Sequence, residues 1–559
     1  MNVMIIGSGI AGLMAAYQIA GMPGIQVTVL STGAGASPFV HGINMPLYQK
    51  DSVRTFIEDT LESGYHLSDP KLVDCLCRDS LEIHRDLMDL GIEFDKKDNQ
   101  YIMLKPLGST YPRIVSSGNH TGAKLINRLR NKLLESGSVL FSEDGRALKL
   151  FMKDGRPEGV LVYHEKSGIL ECMKAQCIIL ACGGFAGIFP FSTNTADIGG
   201  DGIAMAYEAG VPLIDLEFIQ FEPSVALYPK EVAGKGVITT MFYEGAVLRN
   251  VHGERFMGTS EGHPGECVNK DILSRAIYEE IAKGNAAGHG GVYFDATGVG
   301  RDKLMESYDS YVKRYLAAGV DITKEPFEIA PGPHTTLGGV QIHADCSTEV
   351  QGIFAAGEII GGLHGANRIG GNAGLEILVF GKRAGLGARR YLEVYKPDSC
   401  LSSCKWEPEQ TAGRSLKEVH FQILNRCPLK RTRGRNMEIK DLNRIRERMQ
   451  YLLDEYFNVI REGNSMEAAK NELKSLLDDV KWANVSETLY PKYRLLNDLT
   501  CAWLFANAAC TRTKSVGCHI RTDSMEEDSR YHIVIRKKHG KLNIKKEQAG
   551  GTSCEAVNC

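Results

Sequence analysis

Two short stretches of this 559-residue chain hold residues whose types and spacing suit chemistry. Near the N-terminus, "NVMIIGSGIAGLMAAYQIA" sets Gly7, Gly9 and Gly12 in a GxGxxG pattern directly after a short apolar run. The first glycine permits a tight turn and the second lets backbone approach a pyrophosphate. The third packs the following helix, whose N-terminus attracts phosphate charge. The motif is weak alone, but the strand–turn–helix context makes it a dinucleotide cradle. An acidic residue normally closes the second strand of such a unit to hold a ribose. Here "QVTVLS" ends in Leu30 and Ser31, so the Ser31 hydroxyl is what stands there. The other stretch, "VNKDILSR", sets Lys270 beside Asp271 at the head of a helical segment. A lysine amine, near 10.4 in water, falls on burial or beside positive charge, so Lys270 is competent to hold and release a proton.

These groups need a scaffold. The first β-run, glycine turn, helix and second β-run open a doubly wound α/β domain. Residues 70 to 135 alternate charge and aliphatics at helical spacing. "KAQCIILACGGF" (174 to 185) predicts a buried strand running into a turn at Gly183 and Gly184, and "GIFAAGEIIGG" (352 to 362) predicts another. Because these units lie far apart, one α/β domain is expected in two parts, 1–215 and 333–397, interrupted by an insertion at 216–332. "GVGRDKLM" near 298 lacks a preceding strand and reads as a loop, which leaves a single cradle. After a polar stretch near 398 to 413, amphipathic patterns such as "IKDLNRIRERMQYLLDEYFNVI" predict a helical domain over 413–515. In 516–559, "RYHIVIRKKHGKLNIKKE" predicts a hairpin and "AGGTSCEAVNC" a loose tail.

Bulk properties exclude several classes. A net charge of −3 argues against a nucleic-acid-binding surface or a polybasic membrane patch. Fifteen cysteines include no CxxC or CxxCH, and the close pairs Cys75/Cys77 and Cys400/Cys404 fit no zinc, haem or iron–sulfur spacing. No metal is expected. Cysteines scattered in apolar runs read as free thiols in a reducing compartment. The N-terminus enters a strand at once, without the basic region of a signal peptide, and no 18-residue uncharged run suggests a membrane span. The expectation is a cytoplasmic, soluble protein.

Three further stretches occur in one order: "TNTADIGGDGIAMAYEAGVPLIDLEFIQFEPS" (193 to 224), "GERFM" (253 to 257) and "HTTLGGVQI…GIFAAGEIIGGLHGANRIGGNAGLEILVFGKRAG" (334 to 385). With the cradle and "TRTKSVGCHIRTD" (511 to 523), they resemble the flavoprotein family of fumarate reductase, succinate dehydrogenase and L-aspartate oxidase. The N-terminal part looks most like the aspartate oxidase branch. The resemblance covers nearly the whole chain. It implies an FAD-binding, Rossmann-like domain interrupted by an α+β capping domain and followed by a C-terminal helical domain. It also implies that Gly7, Gly9, Gly12, Gly183 and Gly184 lie along FAD, with Asp201 near it and Glu358 on its ribose. The turn from Asn372 to Leu375 would place a helix N-terminus at the pyrimidine ring, where negative charge appears on reduction. His334 and Arg368 match the family residues that clamp a substrate carboxylate, and Thr239 matches a substrate-binding threonine.

Four positions depart from the family pattern. Glu222 stands where the family has histidine, and Thr240 follows Thr239 where the family usually has glutamate. Lys270 replaces the arginine proton donor. His41 falls inside the turn that covalent attachment would require it to precede, so non-covalent FAD is expected. The implied reaction moves a hydride between flavin N5 and a carbon next to a carboxylate, with Lys270 exchanging a proton at the neighbouring carbon. A second substrate carboxylate about 4 Å from an ionised Glu222 would be repelled by roughly 4 kcal/mol at an effective dielectric near 20. That favours a small, monocarboxylate substrate. Two alternatives stay open: an L-aspartate oxidase-like enzyme, and a non-catalytic flavin-binding subunit in which Lys270 and Glu222 form only a buried ion pair. The electron donor or acceptor is not legible, a separate redox protein being one candidate.

Overall fold

A computed structural model of the chain describes residues 1–118, 120–195, 197–258, 265–395, 436–485, 489–524 and 530–549. The polar stretch after 398, the Cys400/Cys404 pair and all but the first residue of the C-terminal tail lie outside them. In chain order, β1 (Asn2–Ile6), α1 (Ile10–Ile19) and β2 (Gln26–Leu30) are followed by α2 (Pro70–Asp89), α3 (Thr121–Ser136) and β3 (Val139–Ser142). A three-stranded antiparallel unit of β4 (Gly145–Lys153), β5 (Arg156–His164) and β6 (Ile169–Lys174) precedes β7 (Cys177–Leu180) and α4 (Asp201–Glu208). Next come β8 (Leu213–Ile214), β9 (Ile219–Tyr228), β10 (Val247–Arg249), α5 (Lys270–Ala282), β11 (Val292–Asp295) and α6 (Asp309–Ala317). β12 (Phe327–Thr336), β13 (Gly339–Val340), β14 (Ile353–Ala355) and α7 (Asn372–Val394) complete the two-part domain. Helices α8 (Ile439–Tyr456), α9 (Gly463–Trp482) and α10 (Leu489–Thr511) follow, then the hairpin β15 (Tyr531–Lys538) and β16 (Lys541–Gln548).

The parallel sheet runs β14–β7–β1–β2–β3, so strands more than 170 residues apart in sequence become neighbours. Its central strands are buried and apolar over residues 3–6 of β1 and throughout β7. Helices α1 and α7 cross closely. A Cβ at Gly381 would come within 2.7 Å of the Ala11 carbonyl oxygen, which only glycine avoids.

The insertion forms a second sheet, β9–β12–β11–β10, with its own apolar core around Leu248, Phe294, Tyr315 and Ile329. Its return strand β12 runs through the expected boundary at 332 and reaches the α/β domain unbroken. The stretch near 298, expected as a loop, is instead a 3-10 turn (Thr297–Val299) followed by a helix (Arg301–Ser307). Gly300, in the left-handed region at φ 84°, ends the first and opens the second. The predicted hairpin exists, but it extends a sheet of the α/β domain, β15 pairing with β8.

Candidate active site

The first strand ends in the glycine cradle. Gly7 adopts φ 119°, and a Cβ there would collide with the carbonyl oxygen of Ala181, just past β7. A Cβ at Gly12 would collide with the Gly7 carbonyl, and one at Gly9 would lie 2.8 Å from the Ser37 hydroxyl. The backbone therefore stays bare along this edge. Ser31 closes β2, but its hydroxyl is engaged locally: it accepts from Ser8 at 2.6 Å and from the Gly33 N–H at 3.1 Å. Gly183, at φ 77°, and Gly184 turn away from β7. A Cβ on Gly184 would strike both Glu358 Oε1 and Thr336 Oγ1, so three separate segments converge there. Thr336 donates its N–H to Glu358 Oε1 at 3.0 Å. Burial pushes the Glu358 carboxyl up to about 7.

Asn372 opens α7 without a side-chain cap, behind Gly371 at φ 84°. Its Oδ1 accepts from Asn44 Nδ2 at 2.7 Å, and Leu375 is fully buried in the next turn. The exposed N–H groups of such a helix start suit a ring that gains negative charge. Asp201 is buried at the start of α4, and both its oxygens are taken, by Arg146 at 3.0 Å and by Asn497 Nδ2 at 2.8 Å. Arg146 also donates to Thr32 Oγ1 at 3.1 Å, so Asp201 reaches the end of β2 through that guanidinium. Bare glycine backbone, an uncapped helix start and a hydroxyl-seeking carboxyl fit FAD.

The second group lies where the cap sheet meets the loop before α7. β9 and β12 pair Gln220 with Thr335 and Phe221 with Pro333, leaving His334 as an extra, unpaired residue. Such a bulge re-aims a side chain, and here it is the histidine singled out in the sequence. His334 Nε2 lies 3.9 Å from Glu222 Oε2, and its Nδ1 lies 2.7 Å from Thr193 Oγ1. Burial, then the charges of Lys270 and Arg368, holds its imidazole well below the usual value, so it is neutral.

Arg368 is only 5% exposed. It donates to the Ile369 carbonyl at 3.2 Å and weakly to Thr335 Oγ1 at 3.4 Å, while its Nε has no partner among the described residues. Among the described residues no carboxylate lies within 4 Å of this guanidinium. Gln220 Nε2 pins the loop by donating to the Arg368 carbonyl and to Asn367 Oδ1, both at 2.9 Å.

Lys270 begins α5, and its ammonium makes a buried ion pair with Glu222 Oε2. Burial pulls the lysine below its ordinary value; Glu222 opposes this and Arg368 assists it. Thr239 starts a buried 3-10 turn in the cap, and among the described residues no hydrogen bond joins it to the other four. The structure thus gathers Lys270, Glu222, His334 and Arg368 and, among the described residues, bonds Thr239 to none of them. Thr193, Asn194, Thr335 and Thr336 escaped the sequence reading. The signal was present in "TNTADIGG" and "HTTLGG", but only folding brings the two stretches together. Asp271, next to Lys270, accepts from the Tyr65 hydroxyl at 2.5 Å.

A bare-glycine strand–turn–helix edge in a parallel-sheet domain that carries an antiparallel capping sheet is the build of a flavoprotein oxidoreductase. Comparison with known proteins supports this throughout. Residues 2–373 match the FAD binding domain family, and residues 446–554 match the fumarate reductase flavoprotein C-terminal family. A subunit of the fumarate reductase (CoM/CoB) of Methanothermobacter marburgensis is 32% identical over 539 residues, covering 94% of each chain. L-aspartate oxidase of Bacillus subtilis is 34% identical over 392 residues, 68% of this chain and 71% of that one. Among solved structures, the fold matches FrdA of E. coli quinol fumarate reductase with a TM-score of 0.85 at 24% identity, covering 100% of this chain and 98% of that one. It matches Mycobacterium smegmatis Sdh1 at 0.81 and 27% identity, covering 98% and 94%. The chain belongs to the FAD-binding fumarate reductase/succinate dehydrogenase/L-aspartate oxidase flavoprotein family, and it is an FAD-dependent oxidoreductase of the fumarate reductase type.

Proposed function

We propose that this enzyme interconverts a C=C and a CH–CH bond next to the carboxylate of a small acid, with Lys270 as the proton-transfer group. Bound non-covalently, FAD would supply the hydride acceptor or donor. The observation that carries the reading is Arg368, a buried guanidinium with no carboxylate of the protein within 4 Å among the described residues. A buried charge costs several kcal/mol unless paired, and a substrate carboxylate in the bidentate fork would pair it. His334 would share that carboxylate. Hydride would pass at the far carbon of the double bond, so that charge can reach the carboxylate, and Lys270 would exchange a proton at the carbon bearing that carboxylate; its lowered affinity for the proton eases transfer in either direction. Gly7, Gly9, Gly12, Gly183, Gly184, Glu358 and Asn372 would line FAD. Thr239 would face the far end of the substrate from the cap.

The pairing with Lys270 changes the argument about Glu222. Its charge is compensated at contact distance, so the full ~4 kcal/mol repulsion of a lone carboxylate does not apply. Among the four gathered residues Lys270 and Glu222 cancel and His334 is neutral, so Arg368, whose guanidinium also feels the more distant Glu376, contributes one positive charge, which matches one carboxylate. A monocarboxylate with a neutral or cationic far end therefore remains the preferred substrate. His41 supports non-covalent FAD because it falls inside the turn that covalent attachment would require it to precede. The M. marburgensis relative is named as one subunit of its enzyme, which favours a separate redox protein as electron partner. A reducing, cytoplasmic setting would suit the ten cysteines outside any disulfide among the described residues.

The test is anaerobic reoxidation of dithionite-reduced, FAD-loaded protein by a panel of enoic acids that includes fumarate. Faster reoxidation by monoenoic monocarboxylates supports the proposal, and fumarate as the fastest oxidant overturns the monocarboxylate part. The 34% identity to an L-aspartate oxidase favours a second reading, an amino-acid oxidase. No response to any enoic acid, with hydrogen peroxide release from L-aspartate, would select it. Acid precipitation should release the yellow chromophore; colour retained on the pellet would rule out non-covalent binding.

A further inference from the structure

We infer that Thr193 is a positioning residue that fixes His334 as its Nε2–H tautomer, so that the histidine offers a substrate carboxylate a hydrogen-bond donor and not a lone pair. This rests on the reading of His334 as part of the carboxylate clamp. Thr193 Oγ1 lies 2.7 Å from His334 Nδ1 and 3.4 Å from the Pro333 carbonyl oxygen. Its single proton can go to either. The Pro333 oxygen already accepts from the Thr193 N–H at 3.1 Å and from the Ser192 hydroxyl at 3.0 Å, which occupies its two lone pairs. The hydroxyl proton is therefore directed to Nδ1. A neutral imidazole whose Nδ1 accepts carries its own proton on Nε2.

The surroundings keep the ring neutral, because burial and the charges of Lys270 and Arg368 all disfavour the imidazolium. Among the described residues Nε2 is left without a hydrogen-bond partner, the Glu222 Oε2 being 3.9 Å away, beyond hydrogen-bond reach. Asn194 Nδ2 donates to the His334 carbonyl at 2.9 Å, so one segment, 192–194, sets both the main chain and the ring of the bulged residue. The consequence is chemical. As a hydride joins the far carbon of an enoic acid, negative charge spreads onto the carboxylate oxygens. A donor already aimed at them stabilises that charge, whereas the other tautomer would oppose it with a lone pair.

The experiment uses the FAD-loaded full chain labelled with ¹⁵N-histidine, the His334 signals being assigned by their loss in His334→Asn. We expect a pyridine-type Nδ1 and a pyrrole-type Nε2, retained in Thr193→Ser and lost in Thr193→Val. Titrating the flavin spectrum with crotonate and with fumarate gives a second readout. Thr193→Val should weaken binding roughly tenfold or more, with Thr193→Ser within about twofold of the native protein. Bound FAD measured in each variant reports folding. A pyrrole-type Nδ1 in the native protein overturns the inference, as does native affinity in a folded Thr193→Val. If the native protein binds neither acid, the clamp reading fails, and the NMR signature still decides the tautomer. If Thr193→Val does not take up FAD, the native protein and Thr193→Ser decide it.

Discussion

A guanidinium and an ammonium a few residues of space apart can do opposite jobs, and here their partners tell them apart. Among the described residues Arg368 has no carboxylate within 4 Å and Lys270 has one. Removing Arg368 should therefore cost mostly binding. Arg368→Ala should lower kcat/KM by several kcal/mol while FAD content stays near native; unchanged turnover on every active carboxylate would remove it from the site. Lys270→Ala should slow turnover by about 10² or more. The sharper variant is Lys270→Arg, which keeps a cation against Glu222 and restores the family pattern. In the reductive direction the lysine must be protonated, so the rate should fall as pH rises through its lowered pKa. That limb should vanish in Lys270→Arg because arginine stays protonated. An identical pH profile in both proteins would mean another group moves the proton. Glu222→Gln adds one net positive charge to the site, so fumarate affinity should rise roughly tenfold to a hundredfold. No change would place the remote carboxylate away from Glu222.

The element that matters most is the junction of turns where Gly184, Thr336 and Glu358 meet. Gly184→Ala would push a methyl into both oxygens, so FAD content should drop sharply. Glu358 adds a pH dependence whose sign follows from its carboxyl. Its folded value of about 7 exceeds the ordinary 4.5, so the folded protein holds an extra proton between these values. That burial destabilises the fold progressively as pH rises across the window, by about 3 kcal/mol at its upper end. Ribose hydroxyls donating to Glu358 would favour the charged form and release the proton. FAD affinity should then rise with pH up to about 7 and level off above, a profile that Glu358→Gln should flatten. A native profile that falls with pH would contradict the ribose role. Ser31 has less room for such a role, since its hydroxyl is already shared with Ser8 and Gly33.

At the scale of the molecule, buried charge joins the parts. Arg512, just past α10, pairs with Glu217 at 2.5 Å and Asp215 at 3.3 Å and donates to the Tyr531 carbonyl at 2.9 Å. It therefore ties the helical region, the entry to the cap and the C-terminal hairpin together. Arg512→Ala would strand the buried Glu217 carboxylate, Asp215 keeping His532 at 2.6 Å, and should destabilise the protein by about 3–5 kcal/mol. A urea midpoint equal to the native one would show that the guanidinium holds nothing. On the far side of α10, Asn497 and Asp498 hold the start of α4, Asp498 accepting from the Gly200 N–H at 2.9 Å. No helix among the described residues is long and apolar enough to cross a membrane.

Local chemistry was legible in the chain itself. GxGxxG after an apolar strand, glycine turns after buried strands, and the HGANR and AAGE blocks each depend on residue type at fixed short spacing, which is what a sequence records. From them came the α/β domain in two parts and its cofactor, while the family resemblance they carry pointed to Lys270, Glu222, His334 and Arg368 as residues of interest. Relations between distant segments were decided only by folding. Whether Glu222 faces a substrate or is paired with Lys270, 48 residues away, depends on how β9 packs on α5. The direction of His334 depends on a bulge that needs two strands to exist, and its link to Thr193 spans 141 residues. The helix after Gly300 and the placement of the hairpin against β8 were missed for the same reason. Tertiary neighbours, and not local periodicity, supplied the energy that chose them.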